Sequence, residues 1–179
     1  VKKEFGTSVA KLVDGMTKLL QLDDKLKDQS QAEYFQKMAL ATAEDVRVVI
    51  IKLADRLHNL QTIEHLPRDK QIKKAKETLE LYAPLAHQIG MHKMATDLED
   101  HSFKTIHPFR HNLIEQALKK NELNRKTLIS KVKKTLKAKF KKNKLEAGTK
   151  GRRKRIYSIY QKMRAKQKSF ADIYDVFAF

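Results

Sequence analysis

The sequence has no cysteine and no tryptophan, and it has only five glycines and three prolines in 179 residues. The absence of cysteine excludes a disulfide scaffold, a thiolate zinc site and a cysteine nucleophile, and it is typical of a reducing compartment. So few chain-breaking residues argue against a many-turned β-sandwich or barrel. We therefore expect a mainly α-helical protein.

Long apolar runs are missing as well. No run approaches the roughly 20 residues that span a bilayer, and the first five residues, Val1 to Phe5, are not typical of a secretory signal. We expect a cytoplasmic protein with no membrane segment. Because the sequence starts at Val1 and stops inside the apolar run at 174–179, we also expect it to be a piece of a longer protein.

Positive charge is abundant but confined to one part of the chain. Residues 119–168 contain 21 lysines and arginines and two acidic residues, whereas residues 1–118 contain 18 and 17. Such a block attracts polyanions, whether nucleic acid or a highly phosphorylated nucleotide. Two alternatives stay open: the lysines at 119–142 form a solvated face of an amphipathic helix, or the block is an RNA- or ribosome-binding module.

Apolar residues that recur every three or four positions predict a series of helices. The predicted helices cover 8–22, 31–41, 43–65, 69–89, 93–104, 108–120, 124–142 and 154–167, and a strand is predicted at 172–179. The helix at 43–65 is apolar nearly all round at its start, which predicts a central, buried position. Gly148 and Gly151 mark a boundary before the last segment.

One polar stripe runs along the helix at 43–65. Asp55, Asn59 and Thr62 are spaced i, i+4 and i+7 and therefore share one face. Because the helix is so apolar, we expect the carboxylate to be partly buried and to need a metal, an arginine or backbone donors. Such a stripe suits a phosphate and a hard metal ion. The alternative is a surface stripe in which Asp55 pairs with Arg56 or Lys52.

Two sets of motifs resemble the Rel/Spo family of guanosine tetraphosphate (ppGpp) synthetase/hydrolases. The first set is DVRVVII at 45–51, KLADRLHNLQT at 52–62, YAPLAHQIG at 82–90 and LED at 98–100. The second is GRRKRIYSIYQKM at 151–163, followed by Phe170, Ile173, Tyr174 and Asp175. Their order and spacing are similar to those of the family over nearly the whole chain.

The resemblance implies a division of the chain into three parts. Residues 1–106 would be an N-terminally truncated, all-helical hydrolase domain of the HD (His-Asp) superfamily, and residues 107–147 connecting basic helices. Residues 148–179 would begin an α+β, nucleotidyltransferase-like synthetase domain. The segment at 54–59 is similar to that of hydrolysis-competent members, so the parent protein is expected to be bifunctional or mainly a hydrolase.

For the hydrolase, the resemblance implies that Asp55 is the final manganese ligand. The other three ligands and a catalytic Glu-Asp pair would lie upstream of Val1. Asn59 and Thr62 would line the nucleotide side of the pocket, with Asn59 at a catalytic position, and Arg56 would supply a supporting ion pair. Because one protein ligand holds a cation weakly, we expect this chain alone to bind no structural manganese and to hydrolyse nothing.

For the synthetase, the resemblance assigns four residues to nucleotide phosphates: Arg152, Lys154, Ser158 and Lys162. Asp175 would bind the catalytic magnesium ion. The implied partners are GDP, GTP, ppGpp and ATP, with a ribosome or RNA contact of the full-length protein as a further candidate. Arg155 departs from the family, which usually has histidine there. Without the family, the cations at 152–155 are equally well interpreted as part of the basic tract.

Overall fold

The computed structural model describes residues 1–25, 45–120, 122–147, 152–172 and 177–178. The chain divides into two compact units, Val1–Ile106 and His107–Phe179. The predicted division at 147/148 lies inside the second unit and stays a prediction, as do the roles of the three parts. Among the described residues, no helix is long and apolar enough to cross a bilayer.

The first unit is entirely helical in its described part. Its elements are α1 (Lys2–Lys25), α2 (Val46–Gln61), a 3₁₀ turn (Ile63–His65), α3 (Arg68–Glu77), a π-turn (Thr78–Tyr82), α4 (Ala83–Gln88) and α5 (His92–Ile106). Asp45 caps α2, because its side chain accepts a hydrogen bond from the backbone N–H of Arg47. Pro67 immediately precedes α3, where a residue without an N–H leaves no hydrogen bond unmade.

The core of this unit forms around α5. This helix packs against α2, α3, the π-turn and α4, and its Leu98 is fully buried together with Leu53 of α2 and Tyr82 of the π-turn. Burying side chains of this size stabilises the fold by about 1.5–3 kcal/mol each. The central helix is therefore α5.

The prediction that the helix at 43–65 would be the central, buried helix is confirmed only in part. Only one face of α2 is buried, whereas Val46, Ile50 and Ile51 are 44, 36 and 41% exposed. The α-helix also ends at Gln61, and a 3₁₀ turn follows. A helix that is apolar on every side can be buried, but which sides are buried depends on the elements packed around it. Here α1 and α5 cover only part of α2.

Other differences from the predicted helices have local causes. The helix predicted at 69–89 is interrupted by the π-turn, which the apolar spacing does not indicate. The first helix starts earlier than predicted, and Gly6 breaks it with a backbone φ of +82°, a value that glycine adopts readily. The helix predicted at 31–41 lies outside the described residues. The remaining described helices match their predicted positions within two residues.

The second unit contains α6 (Pro108–Lys120), α7 (Glu122–Lys142), β1 (Arg152–Arg153), α8 (Ile156–Lys166), a 3₁₀ turn (Phe170–Asp172) and β2 (Phe177–Ala178). The two short strands pair in antiparallel fashion, with Arg152 opposite Ala178 and Arg153 opposite Phe177. The strand predicted at 172–179 is thus confirmed only at 177–178, since Asp172 belongs to the 3₁₀ turn. The predicted mainly α fold class is confirmed.

Candidate functional site

The polar stripe of α2 points into solvent. Asp55, Asn59 and Thr62 are all exposed, and the Asn59 side-chain amide donates a hydrogen bond to Asp55 Oδ2 at 3.2 Å. The prediction of a partly buried carboxylate is therefore wrong. Asp55 is exposed because of the way α2 is rotated about its axis, since successive residues of an α-helix are about 100° apart. When Leu53 and Arg56 face the core, Asp55 faces away from it.

Thr62 lies where α2 ends. Its hydroxyl and its backbone N–H both donate to the carbonyl of His58, each at 3.1 Å. The stripe thus offers an exposed carboxylate with an amide bound to it, followed by a hydroxyl that is already used in the helix cap. The shared face that the spacing predicted is present, and it lies on the outer side of α2.

Arg56, next to Asp55, is only 8% exposed and is held on two sides. Its guanidinium donates to the Glu77 carboxylate at 2.8 and 3.3 Å and stacks over the Tyr82 ring at 4.0 Å. Burial alone would lower the pKa of Arg56, but the neighbouring Tyr82 and Glu77 outweigh it and raise that pKa. The ion pair expected for Arg56 is thus present, and it fixes the rotation of α2.

The π-turn explains how one arginine meets both partners. Glu77 and Tyr82 are five residues apart, and in a regular α-helix such residues point about 140° away from each other. In the π-turn, hydrogen bonds close over five residues, as in the bond from the Ala83 N–H to the Thr78 carbonyl. Residues five apart therefore come close to the same face, where both contact Arg56.

The motif at 82–90 contributes a second polar network. His87 Nε2 lies 3.2 Å from a Glu99 carboxylate oxygen, and His87 Nδ1 lies 3.4 Å from Nδ1 of His92. Burial raises the pKa of Glu99, and the hydrogen bond and charge of His87 oppose that rise. The network joins the end of α4 to α5.

The second candidate set lies around α8. Ser158 and Lys162 are half-buried, are four residues apart and so share one side of α8. Lys154 is also half-buried and precedes the helix, whereas Arg152 lies in β1. Asp175 lies outside the described residues. The structure therefore brings Ser158 and Lys162 together, with Lys154 just before the start of the same helix.

The described residues contain partners that the sequence did not indicate. Arg110 of α6 donates a hydrogen bond of 2.7 Å to the Tyr160 hydroxyl, and Tyr160 is mostly buried in α8. Arg110 is 50 residues from Tyr160, and Glu77 is 21 from Arg56, so no local spacing signals either pair. The only signal was chemical, because a buried arginine or tyrosine hydroxyl needs a partner.

Comparison with known proteins identifies the family to which the chain belongs. A family model described as "HD domain" matches residues 1–92, which is just over half of the chain. The chain belongs to the HD-domain family. The first unit is thus a helical HD-type fold, as the resemblance implied.

Curated relatives match along almost the whole chain. A guanosine-3′,5′-bis(diphosphate) 3′-pyrophosphohydrolase of Haemophilus influenzae is 44% identical over all 179 residues. The bifunctional (p)ppGpp synthase/hydrolase SpoT of Escherichia coli is 42% identical over 98% of the chain, and so is a GTP pyrophosphokinase of Streptomyces coelicolor. The chain spans 26, 25 and 20% of these relatives, respectively. The resemblance to the Rel/Spo family is confirmed.

The HD-domain family suggests a divalent metal, and such an ion is held by several side-chain donors. Within the residues that the structure describes, no group of three or more histidine or carboxylate side chains could hold a metal ion. Asp55 has an amide as its neighbour and lies on an open surface. A hard cation needs several donors, so these residues do not form a metal site by themselves.

Proposed function

We propose that this chain is part of a cytoplasmic enzyme of (p)ppGpp metabolism. In the intact protein, one domain hydrolyses the 3′-pyrophosphate of ppGpp to release pyrophosphate, and the next transfers pyrophosphate from ATP to GDP or GTP. The observation that carries this proposal is the hydrogen-bonded Asp55–Asn59 pair, which lies on an open face of α2 in a chain 44% identical to a hydrolase of this type.

The hydrolase role rests on α2. We infer that Asp55 supplies one ligand to the manganese of the intact protein, whose other ligands come from outside the described residues. Asn59, bonded to the same carboxylate, and Thr62 would face the nucleotide. Ile51, four residues before Asp55 and therefore on the same side of α2, is exposed, so further protein can pack beside Asp55. Arg56 acts as a positioning residue, because its two partners fix the rotation of α2.

The synthetase role rests on α8. Pyrophosphoryl transfer develops negative charge, which fixed cations and backbone N–H groups at a helix start can stabilise. Lys154 just before α8 and Lys162 within it provide such cations, and Ser158 lies between them on the same side as Lys162. We assign these residues and Arg152 to nucleotide phosphates, and Asp175 to magnesium.

The proposal that most metal ligands lie outside the described residues can be tested by comparing this chain with the full-length protein. Purified full-length protein should release pyrophosphate from ppGpp in the presence of manganese, whereas residues 1–179 alone should release none, because a single carboxylate cannot hold the metal. Pyrophosphate is measured by a coupled colorimetric assay. Metal-dependent turnover by residues 1–179 would show that the assigned ligand set is wrong.

Removing a cation at α8 should weaken synthesis. In the full-length protein, Lys154→Ala and Lys162→Ala are each expected to lower ppGpp synthesis about tenfold or more, with hydrolysis unchanged. The matched control is Arg164→Ala, since Arg164 is exposed and lies on the opposite side of α8 from Lys162. Product formation is measured by chromatography. If the control lowers synthesis as much as the two lysine variants, general charge explains the effect and the assignment fails.

A further inference from the structure

The most basic helix, α7, carries a face that the proposed enzyme function does not use. Lys131, Lys134, Lys137, Lys141 and Lys142 are all exposed, and their positions cover about 140° of the helix circumference. We name these five residues the lysine face. The apolar residues Ile129, Val132, Leu136 and Phe140 lie on the opposite side and are half-buried. The lysine face therefore points outward.

The charges of the lysine face are not neutralised within the described part of the chain. No described carboxylate pairs with any of the five lysines, and the sequence from 126 to 144 contains no acidic residue. Two exposed lysines elsewhere do have such a partner, since Lys18 pairs with Asp14 at 3.0 Å and Lys119 with Glu115 at 3.3 Å. An ordinary solvated helix gains from such i, i+4 pairs, whereas like charges at this spacing destabilise it.

The dimensions of the lysine face suit an extended polyanion. From Lys131 to Lys142 the helix rises about 16 Å, and the same length of a nucleic-acid duplex carries about ten phosphate charges. A straight, convex row of point charges cannot enclose a single nucleotide, which needs groups that converge on it. Ammonium groups on flexible stems also contact phosphates without reading bases.

A helix that binds a membrane surface would have an exposed apolar side, which α7 lacks in its described part. Helices that lie on membranes bury an exposed apolar side among the lipids, but no described apolar residue of α7 is among the exposed large hydrophobic residues of the chain. The outward side of the described part of α7 presents lysines and the small residues Ser130, Thr135 and Ala138, with no large apolar side chain. These features favour nucleic acid over an anionic lipid surface.

We propose that the lysine face binds the phosphate backbone of nucleic acid without sequence preference. This surface is separate from Lys154, Ser158 and Lys162, and the proposal does not depend on the enzymatic assignment. RNA and DNA share the phosphate chemistry that the lysine face recognises, and the two duplexes in the test distinguish between them.

The test uses the full-length protein and fluorescently labelled duplexes of about 20 base pairs, one of RNA and one of DNA with the same sequence. Binding is followed by anisotropy between 50 and 200 mM KCl. The triple variant Lys134→Gln/Lys137→Gln/Lys141→Gln is compared with the control Lys70→Gln/Lys73→Gln/Lys76→Gln. The control removes the same charge from exposed positions of α3. Circular dichroism checks that both variants keep their helices, since glutamine and lysine have similar helix propensity.

The lysine-face variant should lose about tenfold or more in affinity for at least one duplex, and its salt slope should fall by about 2.7, which corresponds to three phosphate contacts. The control should stay within about twofold of wild type. Hydrolysis and synthesis should be unchanged in both variants. A preference for the RNA or the DNA duplex would identify the source.

Three results would overturn the proposal. Equal losses in the two triple variants would mean that net charge, and not this face, attracts nucleic acid. No loss in either variant would exclude the face as a binding surface. Binding of the wild type to phosphatidylglycerol vesicles, lost in the lysine-face variant while duplex binding is retained, would assign the surface to membranes.

Discussion

Asp55→Asn in the full-length protein is expected to lower ppGpp hydrolysis at least about 100-fold while synthesis stays within about twofold. The amide keeps the shape of the side chain and can still bind Asn59, but it lacks the negative charge that a divalent cation requires of its ligand. The change lies on an exposed position of α2, so the fold should not be affected. Pyrophosphate release and bound manganese are measured on the same preparation.

The matched control for this prediction is Asp69→Asn. Asp69 is also exposed, belongs to the same unit and lies in the first turn of α3. It should change neither hydrolysis nor metal content. If Asp55→Asn retained both the activity and the manganese, the metal assignment of Asp55 would be wrong even though the family assignment would stand.

Glu77→Ala should destabilise the first unit by about 2–3 kcal/mol, because it leaves the buried Arg56 guanidinium without its carboxylate. We expect less than the full cost of an uncompensated buried charge, since the Glu77 side chain is 36% exposed and water can partly replace it. Tyr82 remains stacked on the guanidinium. The free energy of unfolding is measured by urea denaturation of residues 1–179, with Glu64→Ala, an exposed glutamate, as the control.

A second variant separates the ion pair from general loss of packing. Arg56→Met/Glu77→Leu replaces both charges with apolar side chains of similar size, and such replacements are often neutral. We expect it to recover most of the stability lost in Glu77→Ala. If Glu77→Ala changes the free energy of unfolding no more than Glu64→Ala does, the pair does not hold α2 in place.

Much of the helical layout could be predicted from the sequence because it depends on local patterns. The apolar spacing and Pro108 predicted α6 at its observed position, 108–120. Burial around α2 could not be predicted in the same way. The apolar residues of α2 would allow several of its sides to face the core. Which side is buried depends on where α1 and α5 pack, and the local sequence pattern holds no information on that.

The candidate site shows the same division. The spacing of Asp55, Asn59 and Thr62 was sufficient to predict a shared face, and the structure contains the Asp55–Asn59 bond across it. Whether that face is inside or outside follows from the rotation of α2, which Arg56 sets through Glu77 and Tyr82. Those partners are distant in sequence, so this part of the site required the three-dimensional structure.

The π-turn at Thr78–Tyr82 also has a consequence for chain length. It accommodates one extra residue between α3 and α4, so a deletion of one residue there would restore a regular helix. Because five residues of a π-turn rotate the chain about as far as four residues of a regular α-helix, Leu85 and Ala86 would keep facing the core that they now fill. A one-residue deletion should therefore be tolerated in this segment, whereas the same deletion within α3 or α4 would turn the residues that follow it by about 100°.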